Sequence, residues 1–435
     1  MNDSAIQLEQ RHGARNYDPL PVVLARGQGV HLWDTAGRRY LDCMSAYSAV
    51  SFGHSHPELV EALHHQAGRL AVTSRAFHAE PLGLFLRALC QATGLQAALP
   101  MNSGAEAVET AIKAARKWGY RVKGIADGRA RILVAAGNFA GRTTTIISFS
   151  SEAQYRDGFG PLTPGFASVP FGDAAALEAA ITPDTAAFIV EPIQGEAGII
   201  VPPVGYLAAA REICSRHRVL LICDEVQTGL GRTGTMLACD HEGIRPDGLI
   251  LGKALGGGLL PVSAFLASRE VMDVFTPGDH GSTFGGNPLA AAVGLKALQI
   301  LQRDRLADHA AQLGRQLLAR LRAIRHPGIR EVRGRGLLIG IELQPGFMSA
   351  RRFCERLLDQ GVLTKDTHHT VVRIAPPLII TARQIDDAAD TIGRVFEEST
   401  DERNLSLATA STDHGPQTPA SSKSSHRATA IGVLE

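Results

Sequence analysis

The chain has 435 residues, 45% of them hydrophobic and 20% charged, the balance of an ordinary water-soluble protein with room for two or three domains. Its 44 lysines and arginines nearly cancel 43 aspartates and glutamates, so charge points to neither nucleic acid nor an acidic membrane as a partner. Six scattered cysteines without a C-x-x-C pair argue against a disulfide framework or a metal site; with no transmembrane-length run and no signal peptide over Met1 to Gln10, a cytoplasmic protein is expected.

From about Ala98 to Ser268 apolar runs alternate with amphipathic stretches. Strands are expected over 132–136, 187–190, 219–223, 249–251 and 262–267. Between them Ala107, Val108, Ala111, Ile112 and Ala115 recur at helical spacing, as do Leu207, Ala210 and Ile213. This alternation predicts an α/β fold: a mostly parallel sheet flanked by helices on both faces. After Asn287-Pro288 the texture changes. Helices are expected over 289–301 and 306–321, short strands within 331–343 and over 371–374, and a closing helical face through Ile385, Ala388, Ala389, Ile392, Val395 and Phe396. That is a smaller α+β domain. From about Thr400 the chain turns rich in Ser, Thr, Ala and Pro, and a disordered tail is expected, with a docked segment over 430–434 as the alternative.

In an open α/β sheet ligands bind beyond the carboxyl ends of the strands, and the chain places chemistry there repeatedly. Asn102-Ser103-Gly104-Ala105-Glu106 opens a helix. Its free N–H groups and positive dipole end suit a phosphate, although a plain capped helix has the same letters. Gly137-Asn138-Phe139-Ala140-Gly141-Arg142 follows a strand: Phe139 can cover a flat ring and Arg142 can clamp a carboxylate, or the segment is a surface loop. The apolar strand ending Cys223-Asp224-Glu225 carries two acids. A carboxylate there demands a cation or donors, which a pyridinium nitrogen or a structural arginine would both satisfy. Leu249-Ile250-Leu251-Gly252-Lys253 delivers an amine to a Gly-rich turn. Desolvation makes such a lysine a carbonyl nucleophile able to form a Schiff base, while taken alone it reads first as a strand-end lysine reaching solvent. Gly281-Ser282-Thr283-Phe284-Gly285-Gly286 offers a second phosphate contact or a common turn.

Gly229-Leu230-Gly231-Arg232-Thr233-Gly234 matches G-x-G-x-x-G. It lies too far from the preceding strand end, opens no clear helix and lacks a convincing acid downstream, so a dinucleotide site is not expected.

With these residues in hand, the chain resembles the class III, fold-type I pyridoxal-phosphate aminotransferases, and within that class the ornithine-acting branch. The resemblance runs from about Gly13 to Phe396. It rests on Gly13-Ala14-Arg15-Asn16-Tyr17-Asp18-Pro19-Leu20-Pro21-Val22, Ser45-Ala46-Tyr47-Ser48-Ala49-Val50, Glu191-Pro192-Ile193-Gln194-Gly195-Glu196-Ala197-Gly198 and Arg373-Ile374-Ala375-Pro376-Pro377-Leu378. It implies an N-terminal segment over 12–47, a large cofactor-binding domain over 48–293, a small domain over 294–399 and a tail over 400–435. The implied cofactor is pyridoxal 5'-phosphate, bound covalently by Lys253. Asp224 would pair with its ring nitrogen, Gln227 would contact the ring hydroxyl side and Phe139 would stack on the ring. Ser103, Gly104 and Ala105 would hold its phosphate, with Thr283 supplied from a partner subunit, so a homodimer or larger homo-oligomer is expected. The substrates implied are L-ornithine, at its δ-amine, and 2-oxoglutarate. Arg142, Tyr17 and Tyr47 would receive the ornithine α-carboxylate end. Arg373 would receive the 2-oxoglutarate α-carboxylate, with Glu196 covering it when ornithine is bound. Ala140 departs from the pattern, standing where such enzymes carry a bulky aromatic or a histidine. Another ω-aminotransferase, acting on N-acetylornithine, 4-aminobutyrate or lysine, is the alternative.

Overall fold

The computed structural model describes residues 4–412, with side chains through 399. Thr185–Val190, Leu220–Asp224, Gly248–Leu251 and Ser263–Ala267 are buried at every position, as befits strands covered on both faces. They lie within a seven-stranded sheet ordered Ala97–Met101, Ser263–Ala267, Gly248–Leu251, Leu220–Asp224, Thr185–Val190, Arg131–Ala135, Phe166–Val169. Neighbours are parallel except Ser263–Ala267, which runs antiparallel to both of its partners. The mostly parallel sheet expected from the sequence is therefore present. Its two edge strands were not foreseen: Ala97–Met101 has weak strand formers and a proline, which an edge position tolerates.

Helix Gly104–Trp118 sets Val108, Ala111, Ile112 and Ala115 against Ile132, Ile189, Ile222 and Ile250 on one face. Tyr206–Arg216 sets Leu207, Ala210 and Ile213 against Leu133, Phe188 and Leu221 on the other. Each large aliphatic side chain so buried contributes about 2 kcal/mol, which holds the strand ends in fixed relation.

Two smaller sheets flank this body. Ile329–Arg335, Leu338–Leu343, Val371–Ile374 and Lys365–Thr367 form one. The other is Leu24–Gln28, His31–Asp34, Arg39–Asp42 and Val362–Leu363, the last pair parallel. That pairing joins an early segment to a late one and carries the segment after Asp42 to the strand bearing Arg373, where Ala375 N–H donates to the Cys43 carbonyl at 2.7 Å. Helix Pro288–Arg303 starts with Asn287 Oδ1 accepting from Ala290 N–H at 2.8 Å and proline at the first turn, the arrangement the letters Asn287-Pro288 favour. Leu306–Ala323 follows.

The closing helix runs Ala382–Thr412, past Thr400, where a disordered tail was expected to begin. The stretch beyond Thr400 includes Glu402, Leu405, Leu407 and Ala408, good helix formers that prolong an already nucleated helix. The rest of that tail, including 430–434, lies outside the described residues.

The glycines of the G-x-G-x-x-G match serve packing. A Cβ on Gly231 would come within 3.0 Å of Leu301, and one on Gly234 within 2.9 Å of Ala311. Arg232 between them is fully buried. It donates to the carbonyls of Leu337 at 3.0 Å and Pro376 at 2.6 Å, and to the hydroxyls of Ser45 at 3.2 Å and Ser51 at 3.1 Å.

Candidate active site

The carboxyl ends of the central strands converge on a cavity of about 180 Å³ lined by Gly104, Ala105, Phe139, Ala140, Glu191, Glu196, Asp224, Gln227 and Lys253 among others. Lys253 stands one residue, Gly252, beyond the strand Gly248–Leu251 and adopts φ 43°, a conformation costing a non-glycine residue about 1 kcal/mol or more. Among the described residues its Nζ has no hydrogen bond or ion pair. Burial lowers its pKa, the strongest influence, and the Arg373 charge adds to this against the pull of Glu196, Asp224 and Glu191. An amine so placed is neutral more often, and so more nucleophilic, than a surface lysine.

Asp224 and Glu225 end the same strand with opposite fates. Glu225 is fully enclosed by Thr228 Oγ1 at 2.6 Å and the N–H groups of Ala238 and Cys239, both at 2.9 Å. It is a structural acid. Asp224 lines the cavity and accepts only from Val226 N–H, at 3.0 Å, among the described residues. Burial pushes its carboxyl up to about 6, so a cation placed beside it would be strongly held.

Gln227 donates to Glu196 at 3.2 Å, while its buried Oε1 lacks a partner. Gly195 is required beside it: a Cβ there would fall 1.5 Å from that oxygen. Glu191 also faces the cavity, and its role was not foreseen. It accepts from Phe139 N–H at 2.9 Å and Gly195 N–H at 3.2 Å. Burial, then the Asp224 charge, pushes its carboxyl up to about 8. The available signal was an acid directly after the apolar strand Thr185–Val190, the pattern already noted at Asp224.

Ser103 caps helix Gly104–Trp118, its hydroxyl accepting from Glu106 N–H at 3.2 Å. Gly104 and Ala105 present the start of that helix to the cavity, whereas Ser103 is exposed and outside the lining. A Cβ on Gly141 would meet Ala105 at 2.8 Å, so glycine lets the Phe139 loop close over the helix start.

A second, larger cleft of about 1240 Å³ is lined by Tyr17, Tyr47 and Arg142 among others. Arg142 lies 3.7 Å from the Tyr155 ring centroid. Tyr17 is 82% exposed. Between the two spaces, Arg373 and Glu196 form a bidentate pair with both contacts at 2.8 Å. Burial alone would raise the Glu196 pKa, but the Arg373 charge and hydrogen bonds outweigh it and hold the carboxyl down at about 2. Arg373 is fully buried, and the Tyr47 ring centroid stands 4.9 Å from its guanidinium carbon. Thr283 is exposed and lines neither space. Among the described residues no cluster of three His, Cys, Asp or Glu side chains is arranged to hold a metal.

This arrangement fits pyridoxal phosphate on four counts: a cavity at a helix start for the phosphate, an under-bonded buried carboxylate for a protonated ring nitrogen, an orphaned Gln227 oxygen, and an unpaired lysine.

The sequence profile of the family described as "Aminotransferase class-III" matches residues 12–396. An ornithine aminotransferase of Bordetella pertussis is 55% identical over 393 residues, covering 90% of this chain and 95% of that protein. A solved ornithine aminotransferase from Toxoplasma gondii, described with partial occupancy of PLP at its active site, superposes with a TM-score of 0.90 at 44% identity, over 92% of this chain and 95% of that one. An acetylornithine aminotransferase from Elizabethkingia anophelis superposes with a TM-score of 0.84 at 51% identity, over 90% and 98% of the two chains.

Proposed function

Since the chain belongs to the class-III aminotransferase family, we propose that it is a pyridoxal-phosphate-dependent L-ornithine:2-oxo-acid δ-aminotransferase, forming glutamate-5-semialdehyde and glutamate. The observation that carries the reading is the Glu196–Arg373 pair beside Lys253. An enzyme that removes a terminal amine and then accepts a 2-oxo diacid must offer an arginine in one half-reaction and hide it in the other. Arginine cannot be neutralised by pH, only by a partner.

In this assignment Lys253 would be the covalent anchor and the proton carrier, and Asp224 would hold the ring nitrogen. Gln227 would contact the ring hydroxyl side, Phe139 would cover the ring, and Gly104 and Ala105, with Ser103 capping their helix, would receive the phosphate. The cofactor, when bound, supplies an electron sink for the amino carbon's charge. The protein supplies placement. Arg142 takes the ornithine α-carboxylate with Tyr17 and Tyr47 shaping that end, which leaves the δ-amine directed at Lys253. Glu196 occupies Arg373 while ornithine is bound and yields it to the 2-oxoglutarate α-carboxylate, its distal carboxylate going to Arg142.

The enzyme is assigned as a homodimer or larger. Thr283, exposed and outside its own chain's cavity, is assigned to the phosphate site of a second copy. The exposed Phe284 next to it and the helix Ala5–His12, which buries none of its residues, support that reading.

N-acetylornithine is the second donor to weigh: small Ala140 lines the cavity, and two structural neighbours are named for acetylornithine. The test is the change in cofactor absorption of the pure enzyme on adding L-ornithine, N-acetylornithine or 4-aminobutyrate without oxo acid. A rapid change with ornithine alone, reversed by 2-oxoglutarate, is expected. A better response to another amine overturns the substrate and keeps the cofactor chemistry.

A further inference from the structure

Residues Ser45, Ala46, Tyr47 and Ser48 have φ of 43°, 47°, 59° and 73°. None is glycine. A run of left-handed L-residues is disfavoured at each step and persists only where surrounding contacts over-determine it. Those contacts are present. Asp42, almost fully buried, accepts from the N–H groups of Met44 and Ser45, both at 2.8 Å, and its other oxygen pairs with His54 Nε2 at 2.7 Å. Ser45 Oγ donates to the Ala375 carbonyl at 2.6 Å and accepts from Arg232 at 3.2 Å. Arg232 also donates to Ser51 Oγ at 3.1 Å, and Ser51 in turn donates to the Ser48 carbonyl at 3.1 Å. The same guanidinium reaches the Pro376 carbonyl at 2.6 Å. The turn is thus bolted at both ends to the backbone just beyond Arg373.

Tyr47 sits inside this turn, with its ring centroid 4.9 Å from the Arg373 guanidinium carbon. Reversing the sign of φ at Tyr47 would send its side chain elsewhere, so the contact exists only while the turn stays left-handed. Glu196 holds the hydrogen-bonding edge of Arg373, and the aromatic ring holds a second approach by cation–π attraction.

We propose that Arg232 and Asp42 are positioning residues for substrate choice: by locking the turn Ser45–Ser48 onto the Arg373 strand, they set Tyr47 against the Arg373 guanidinium. The inference rests on the ornithine reading above, in which Tyr47 and Arg373 face substrate. It also gives Arg232 a function that the dinucleotide-like motif around it does not.

The test uses full-length holoenzyme carrying Ser45→Ala or Arg232→Lys, each alone and combined with Tyr47→Ala. KM and kcat for ornithine, N-acetylornithine and 2-oxoglutarate are measured beside Tm. Ser45→Ala is expected to raise KM for ornithine about tenfold while kcat changes less than about twofold. In the Tyr47→Ala background that KM effect should vanish, because the two changes act through one contact. Arg232→Lys should shift KM in the same direction, and if it does not fold, Ser45→Ala decides alone. An equal effect with and without Tyr47, or a fall in Tm with no change in KM, overturns the inference. A wild-type enzyme with no preference for ornithine overturns the substrate reading itself, and this inference with it.

Discussion

Gln227, in the Lys253 cavity, donates to Glu196 Oε1 at 3.2 Å, the oxygen that also accepts from Arg373 Nη1 at 2.8 Å. One carboxylate is therefore shared between Gln227 and Arg373. Were it to leave Arg373, as the proposed switch requires, Gln227 would remain as a partner.

Removing that carboxylate should expose the arginine permanently. Glu196→Ala is expected to lower kcat/KM for ornithine about tenfold or more and to raise the share of α- over δ-transamination. Product analysis distinguishes the two, since the δ product cyclises to pyrroline-5-carboxylate and the α product to pyrroline-2-carboxylate. An unchanged product ratio at an unchanged rate would sink the switch.

Lys253→Ala should reduce turnover by about a thousandfold or more. In wild-type protein incubated with pyridoxal phosphate, borohydride should fix the cofactor on the peptide containing Lys253. Peptide mapping that finds the adduct elsewhere in the wild type would remove Lys253 from its assigned role.

Glu191 should leave a signature in the cofactor-free protein. Its carboxyl is raised from 4.5 to about 8 by burial and by Asp224, so the folded state binds the proton more tightly than the unfolded one. Its contribution to stability is fully present below pH 4.5 and is lost as pH rises toward about 8. Glu191→Gln carries no such proton. Its Tm should match the wild type near pH 4.5 and exceed it by a few °C (roughly) at pH 8 and above. Parallel Tm curves across that range would show that Glu191 does not titrate as its surroundings dictate.

Arg142 presents its guanidinium to the large cleft from above the Tyr155 ring. Arg142→Ala should raise KM for both ornithine and 2-oxoglutarate by about ten- to a hundredfold, since both are assigned a carboxylate there. A change confined to one substrate would separate the two subsites.

The central sheet was legible because its strands are buried on both faces and so read as unbroken apolar runs. Val371–Ile374 falls on its expected bounds. Lys253 and Asp224 stood out because each ends or follows such a run, whereas Gln227 came only from the resemblance. Glu191 obeys the same rule and was passed over as part of a longer phrase. The left-handed turn had no local signal, since Ser45-Ala46-Tyr47-Ser48 contains no glycine or asparagine, and its geometry is imposed from Asp42 and Arg232 far along the chain. The strand Leu24–Gln28 was also hidden: it is exposed at every position but Gly27, so no apolar period marks it.

The reversed strand Ser263–Ala267 has a final bearing on Lys253. A parallel sheet usually sends each connection away from the ligand edge, across a helix and back. Here the chain leaves Gly248–Leu251 at that edge and re-enters at the same edge, where Ala264 pairs with Leu251 and Ser263 Oγ donates to the Ser103 carbonyl at 2.7 Å. Lys253 thus hangs on a short bridge with both abutments set in the core. Such a bridge cannot fray from one end, so the amides around Lys253 should exchange with solvent only when the whole sheet opens.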